Sequence, residues 1–459
     1  MDSSDVIFAV SNISDNGNEA LKRGAIMGGE HLIIRGTRDY RRANLALFFA
    51  GFVTFSNLYA FQPLFPNLVS EFGISPTVAS LSLSVATFAL ACTLPVSGTL
   101  SDALGRRALM GVAVILTSLL AFATAAGESL PALLALRLVQ GILLAGVPAV
   151  AMAYLSEEIE PRAVGSAMGL YIAGNAFGGM TGRMLTVWLT DFIPWRSAVA
   201  VIAMISLVLG LLFLVLLPPS RNFKRRRFHL GQLTGSLLNH LRNPGLLWLF
   251  LVSFTCMGGF VTLYNYVTFR LLGPGFDLSQ TQVASIFLAY AFGAFGSSFM
   301  GAMVSRFGRS TILYSSLAIM AAGLMLSLFP GLSAVVVGIV IFTIGFFGAH
   351  SVASAWVGSL ATHSRAQASS LYLFSYYLGS SLSGTCGGLF YSLWGWPGVV
   401  LFILLLIGVA GIASIRLAAL TREAEPATAF WGRMPMKRGP YFRAAAVMKK
   451  RSTVDDRPV

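Results

Sequence analysis

The feature that most constrains this chain is the recurrence of apolar blocks long enough to cross a lipid bilayer. The hydrocarbon core asks for roughly 20 mostly apolar residues per helical pass. Such blocks run at about 44–66, 78–100, 108–126, 131–155, 163–188 and 196–217. They continue at 245–270, 281–304, 311–329, 332–356, 366–392 and 397–420. These are spans 1 to 12 in chain order. Each is apolar around its circumference instead of on one helical face, so a soluble fold has nothing to cover them with. Inside a bilayer every span must satisfy its own backbone, which a helix does within one segment. Hydrophobic residues make up 56% of 459 and charged residues 11%, against about 25% charged in a soluble domain. The expected fold is an all-α membrane protein of twelve transmembrane helices in two six-helix bundles.

The polar stretches divide the chain further. Residues 1–43 form an N-terminal tail, 44–217 the first bundle, 218–244 a basic linker, 245–420 the second bundle and 421–459 a basic tail. The first tail has no compact apolar core ahead of a small-residue cleavage site, so no signal peptide is expected. Residues 1 to about 35 read as unstructured. The net charge of +14 raises nucleic acid as a partner. Its basic residues, however, sit in short loops and tails beside apolar blocks, so no nucleic-acid partner is expected. Lys22, Arg23, Arg35, Arg38, Arg41, Arg42, Arg106, Arg107, Arg162, the linker, Arg306, Arg309 and Arg365 share one side. Only Arg196 and Arg270 fall on the other. The positive-inside rule then puts both termini in the cytoplasm, and Trp188, Trp195, Trp394 and Trp396 at the outer interface. Cys92, Cys256 and Cys386 lie inside apolar blocks, with no metal or disulfide spacing.

The chain repeats itself. Leu58-Tyr59 recurs as Leu263-Tyr264, and Gly98, Gly105 and Arg106 recur as Gly301, Gly308 and Arg309. Leu170-Tyr171, Gly178 and Trp195 recur as Leu371-Tyr372, Gly379 and Trp396. Six spans per half is an even number, so both halves have the same topology, with a path expected at their interface.

Between spans 2 and 3 runs Gly98-Thr99-Leu100-Ser101-Asp102-Ala103-Leu104-Gly105-Arg106-Arg107. Its glycines permit a tight turn and close helix approach. Asp102 can accept from a helix N-terminus or pair with Arg106, so the cluster is a candidate latch between bundles. The second copy, Gly301, Gly308 and Arg309, has Ser305 where the acid would be. This pattern resembles the signature of the major facilitator superfamily, over residues 40 to about 420. Arg137-Leu138-Val139-Gln140-Gly141 in span 4 resembles that family's membrane-embedded arginine segment, which implies proton coupling. Gly165, Gly174, Gly178, Gly179 and Gly182 in span 5 resemble the glycine-rich packing segment of its drug and metabolite antiporters, although Gly179 replaces the usual proline. The overall likeness is to bacterial proton-driven efflux permeases of the multidrug and sugar-efflux group.

Charges inside spans are costly and mark cavities or pathways. Arg137 reads as a coupling group, as the holder of an anionic group, or as a packing residue against the glycine backbone of span 5. Arg183 reads as a cation at the outer mouth, or as a side chain that snorkels outward or pairs with Asp191. His350 is a candidate proton carrier, or a histidine satisfied by a backbone carbonyl or Ser351. No carboxylate sits mid-span, which points to neutral or anionic solutes unless a span-end acid such as Glu157 reaches the cavity. Asn57, Tyr59 and Gln62 of span 1, Gln140, Asn175, Tyr264, Asn265 and Tyr376 are the candidate solute-binding groups, with Asn57, Tyr264 and Asn265 foremost.

The expected function is secondary active transport by alternating access, exporting a small organic solute at the expense of the proton gradient. There is no phosphate-binding loop for ATP, and no cofactor, metal site or catalytic residue is expected. An uptake carrier or uniporter for an organic anion keeps the same fold. A lipid-modifying membrane enzyme would need a clustered catalytic set that the sequence lacks. A monomer in the bacterial inner membrane is expected, with the bilayer and a small solute as its partners.

Overall fold

The computed structural model describes residues 32–223, 225, 230–361 and 365–423, and these are almost entirely helical. Ten helices are long and apolar enough to cross a membrane. One of them, Arg365–Glu423, is 59 residues long and breaks at Gly395 (φ 58°, ψ −144°), so it makes two passes, spans 11 and 12. The helix Pro161–Leu189 has 29 residues, as many as the longest single spans. Its glycines, Asn175 and Arg183 keep it less apolar than the others. Counting it as span 5 gives twelve crossings among the described residues.

Spans 2 and 3 are Pro76–Leu104 and Arg106–Ala126, and span 6 is Trp195–Leu216. Spans 7, 9 and 10 are Pro244–Leu272, Arg309–Leu326 and Leu332–Leu360. Three spans are interrupted. Span 1 runs Arg38–Tyr59, turns through a 3₁₀ segment Gln62–Leu64, and continues as Phe65–Phe72, so it extends beyond its expected end near 66. Span 4 is Leu130–Leu144 followed by Pro148–Glu158, because Pro148 has no N–H to return to Leu144. Span 8 begins Gln280–Ala284, passes through Ser285–Leu288 in 3₁₀ geometry and ends as Ala289–Phe307.

Local signals set most ends. The Ser75 side chain accepts from the Val78 N–H at 3.3 Å, with Pro76 in the first turn. Asn243 accepts from Gly245 and Leu246 at 2.9 and 3.3 Å. Such caps satisfy helix-end donors that would otherwise lack partners. Gly105 (φ 99°) and Gly308 (φ 83°) each form a single-residue turn between consecutive spans. Their N–H groups bond to the carbonyls of Ser101 and Val304, both at 2.9 Å. That backbone region is almost closed to other residues, at a cost of about 1–3 kcal/mol.

The first and last described residues, 32 and 423, the described part of the linker and the 104–106 and 307–309 turns lie at one end of the molecule, here the terminus end. The turns at 72–76, 126–130, 189–195, 272–280 and 326–332 lie at the far end. At the terminus end the chain is tied back on itself. The Ile33 N–H donates to the Glu158 carbonyl at 2.7 Å, and the Glu160 N–H to the Ile33 carbonyl at 3.2 Å. This corrects the expectation of an unstructured tail as far as residue 35. A short linker helix, Leu230–Leu241, leads into span 7.

Spans 1 to 6 pack chiefly on one another, as do spans 7 to 12. Span 5 lies close on span 1. A β-carbon on Gly174, Gly178 or Gly182 would collide with the backbone of Phe48, Phe52 or Ser56, respectively. In the second half, Gly379 meets Phe254 in the same way, so the 201-residue repeat of this glycine is a repeat of packing. Gly165, expected in the same role, has open space where its β-carbon would be. The outer faces carry exposed apolar side chains, among them Val112, Phe177, Val215, Leu405 and Ile412, as lipid contact requires.

Candidate functional site

The halves meet along spans 2 and 11, and again where spans 5 and 8 and spans 1 and 7 approach. Among the described residues, every hydrogen bond between the halves lies in the far-end half of the molecule. Gln62 Nε2 donates to Asn265 Oδ1 at 2.7 Å and faces the Val261 carbonyl at 3.4 Å. Ser381 donates to the Ser84 carbonyl, and Thr385 to the Ser84 hydroxyl, both at 2.8 Å. Asp191 accepts the N–H groups of Gln280 and Thr281 at 3.1 and 2.7 Å. Its carboxylate thereby caps the first turn of span 8, where the helix dipole favours negative charge. Hydrogen bonds from Thr281 hold its carboxyl below the usual carboxylate range, against a smaller opposing effect of burial. At the terminus end no hydrogen bond or ion pair joins the halves among the described residues.

The Gly98–Arg107 cluster lies at that open end and works within the first half. Arg106 pairs with Asp102 at 2.6 Å and with Glu157 at 2.7 Å, and it bonds to Ser101. Arg107 donates to the Leu214 carbonyl at 2.7 Å. Asp102 thus pairs with Arg106 and not with a helix N-terminus, and Glu157 ties spans 3 and 4 together and does not reach the interior. In the second copy, Arg309 donates to Ser359 at 2.7 Å, while Gly98 and Gly301 stand clear of close neighbours.

Arg137 is fully buried. Nε donates to the Ser82 carbonyl at 2.7 Å and Nη1 to the Asn57 carbonyl at 2.9 Å. Nη1 also reaches Gln140 Oε1, and Nη2 the Leu58 carbonyl, both at 2.6 Å. Gln140 passes the chain on to the Thr117 carbonyl at 3.0 Å. The packing reading placed Arg137 against span 5; it packs instead against the backbones of spans 1 and 2. It ties four helices together with every nitrogen engaged.

Arg183 differs from both of its expected positions. It does not snorkel and does not pair with Asp191, which is occupied by span 8. Its side chain points inward, only 1% exposed. Nε donates to Gln62 Oε1 at 2.5 Å and Nη1 to the Gly179 carbonyl at 2.6 Å. The guanidinium carbon lies 3.8 Å from the ring centre of Tyr59 and 4.7 Å from that of Tyr290. Tyr59 belongs to the first half and Tyr290 to the second, so the cation is clasped between halves.

His350 is partly exposed; its Nδ1 lies 3.0 Å from the Tyr372 hydroxyl, not against Ser351. Its ring faces Tyr376, with centres 4.8 Å apart. From there a run of rings passes through Phe346, Phe260 and Tyr290 towards Arg183. Tyr264 is buried with its hydroxyl on Thr343 at 2.9 Å, and the Asn57 side chain bonds to its own helix at Val53. Neither lines an open cavity and both bond within their own half; of the three foremost candidates, Asn265 belongs to the far-end closure. Asn175 is partly buried and presses against Gly51 of span 1. Sequence reasoning overlooked Tyr290 and the phenylalanines. In so apolar a chain their rings carry no mark, and only the pattern Phe346-Phe347 ahead of His350 could have drawn attention to them.

Two repeated helical halves, hydrogen-bonded to each other among the described residues at one end alone and holding a buried cation between them, have the build of a multi-pass membrane transporter. The chain belongs to the Major Facilitator Superfamily, whose family model matches residues 47–286 and 267–450. It is 47% identical to the uncharacterized MFS-type transporter YybF of Bacillus subtilis, over 82% of this chain and 94% of that one. It is 44% identical to the inner membrane transport protein YnfM of Escherichia coli, over 84% and 92%. Among solved structures, a bacterial homologue of the human lysosomal transporter Spinster, inward-facing and unoccupied, superposes with TM-score 0.68. The match covers 83% of this chain and 98% of that one at 15% identity, a likeness of fold alone.

Proposed function

We propose that this transporter exports a small organic solute across the bacterial inner membrane by alternating access, driven by the inward flow of protons. The observation that carries the reading is the one-sided closure: among the described residues, the hydrogen bonds between the halves are all at the far end. With the basic terminus end in the cytoplasm, as the distribution of Arg and Lys indicates, this is a conformation open to the cytoplasm. Rocking the halves about the interface would expose the same central groups outward. His350, the one imidazole within the described spans, is the candidate proton carrier.

A double variant, Asp191→Cys with Gln280→Cys, tests the rocking. Oxidised, it joins the halves at the far end; reduced, it frees them. In everted vesicles carrying a pH gradient, solutes such as chloramphenicol, D-xylose and benzoate are added and the gradient is followed with a pH dye. At least one solute should discharge the gradient with the reduced protein and not with the oxidised one. Equal discharge in both states sinks alternating access through this interface. Accumulation of solute together with protons, instead of against them, sinks export and favours the uptake reading.

A further inference from the structure

Arg183, Gln62 and Asn265 form a relay between the halves. The guanidinium holds Gln62 Oε1 at 2.5 Å, which turns Gln62 Nε2 towards Asn265 Oδ1 at 2.7 Å in the second half. Asn265 Nδ2 in turn donates to the Gly384 carbonyl at 3.3 Å. Arg183 thus fixes the orientation of the amide that makes the cross-half bond.

The cation at the head of this relay has no counter-charge. The only ion pairs among the described residues are Arg106 with Asp102 and Glu157, and Arg196 with Glu71. Burying an unpaired charge is expensive. Two ring faces, the Gly179 carbonyl and a neutral amide offset part of that cost, but they supply no negative charge. The contrast with Arg137 is instructive: that arginine is fully buried and gives four of its five N–H groups to three carbonyls and Gln140. The partners of Arg183 are displaceable. Tyr290, one of its two aromatic faces, is only partly buried, and its hydroxyl has no hydrogen-bond partner. Behind Tyr290 the ring run passes through the buried Phe260 and Phe346 to Tyr376, whose ring is again partly exposed.

We propose that the cargo is an organic anion with a flat apolar body, typically an aromatic carboxylate, whose negative group takes Arg183 from Gln62. The carboxylate accepts the guanidinium hydrogen bonds and the apolar body lies against the partly exposed rings of Tyr290 and Tyr376. Gln62 then loses its orienting donor, the Gln62–Asn265 bond weakens, and the far end is freed to open. Cargo and gate are coupled because they compete for one guanidinium. This inference rests on the transport reading for its consequence, but its binding step is tested without transport.

The test uses the full-length protein in detergent with paired probes: benzoate against benzamide, and 2-naphthoate against 2-naphthamide. The readouts are the thermal unfolding midpoint and hydrogen exchange of the amides at Gln280–Ala284, which sit in the far-end closure. Carboxylates are expected to raise the midpoint and to speed exchange at these amides, while the matched amide compounds do neither. Arg183→Gln should weaken carboxylate binding by about 30-fold, the loss of a charge-assisted contact. Gln62→Glu places a carboxylate on Arg183 from within. It should fold at least as stably as the wild type and lose the carboxylate response, which separates loss of the site from loss of the fold. Equal responses to charged and neutral probes overturn the proposal, as does a carboxylate response that survives Gln62→Glu, or the absence of any carboxylate response in the wild type. A protein that binds carboxylates in this way but moves no solute in vesicles sinks the transport reading alone. One that moves neutral solutes while blind to carboxylates sinks the anion site alone.

Discussion

Arg137 and Arg183 both lie almost fully buried within spans of the first half, and what surrounds each decides its role. Arg137 holds backbone carbonyls of two other spans in a planar fork. Lysine is a compact charge that cannot reach Ser82, Asn57 and Leu58 together. Arg137→Lys should therefore cost about 3 kcal/mol or more, as carbonyls and charge lose buried partners. Thermal unfolding in detergent measures it, and a variant as stable as the wild type would remove Arg137 from its structural role. Arg183→Lys should leave the unfolding midpoint nearly unchanged, because its hydrogen bonds go to one amide and one carbonyl and lysine keeps a cation against the two rings. That these arginines mattered was legible in the sequence, since a charge inside an apolar block stands out. Their partners were not. The acceptors of Arg137 are backbone carbonyls, which every residue owns, and the rings around Arg183 come from spans more than a hundred residues apart.

At the level of the helix, the glycines of span 5 set how closely it approaches span 1. Gly174, Gly178 and Gly182 recur every four residues and oppose Phe48, Phe52 and Ser56, which recur at the same interval. A side chain at Gly178 would press on the Phe52 backbone, which cannot rotate away. Gly178→Ala should destabilise by roughly 1–3 kcal/mol through overpacking. Gly165→Ala should be neutral or stabilising by up to about 1 kcal/mol, since alanine is the better helix former. Unfolding midpoints of the two variants decide the matter, and equal effects would contradict the packing register. The sequence held this distinction: nine residues at about 100° each put Gly165 on the opposite face from Gly174. Grouping the five glycines by proximity instead of by face concealed it. The spans themselves were legible because the bilayer fixes their length. Their ends were less so, because polar caps such as Ser75 and Asn243 and the breaks at Gln62–Leu64 and Ala145–Val147 depend on turn geometry, which hydropathy does not record.

For the whole molecule the question is which contacts hold the far end shut, and at what pH. Asp191 is a candidate clamp, because its carboxylate receives two backbone N–H groups from the other half. In the closed form its carboxyl lies below the ordinary value; once the halves part, it returns towards the usual value of about 3.9. A group with a depressed pKa in one state favours that state fully above its ordinary pKa. The advantage disappears as pH falls through the depressed value. From about pH 5 to 8 the clamp is therefore fully charged, and its contribution to closure is constant. Asp191→Ala should speed hydrogen exchange at Gln280–Ala284 by the same factor at both ends of that range. A factor that shrinks towards pH 5 would mean that Asp191 titrates there and could carry the coupled proton. A constant factor places the proton elsewhere, and the partly exposed His350 beside Tyr372 and Tyr376 is then the group to vary. His350→Gln should flatten the pH profile of solute-driven gradient discharge while leaving the Asp191→Ala exchange effect intact, since the clamp and the imidazole lie in different parts of the interface.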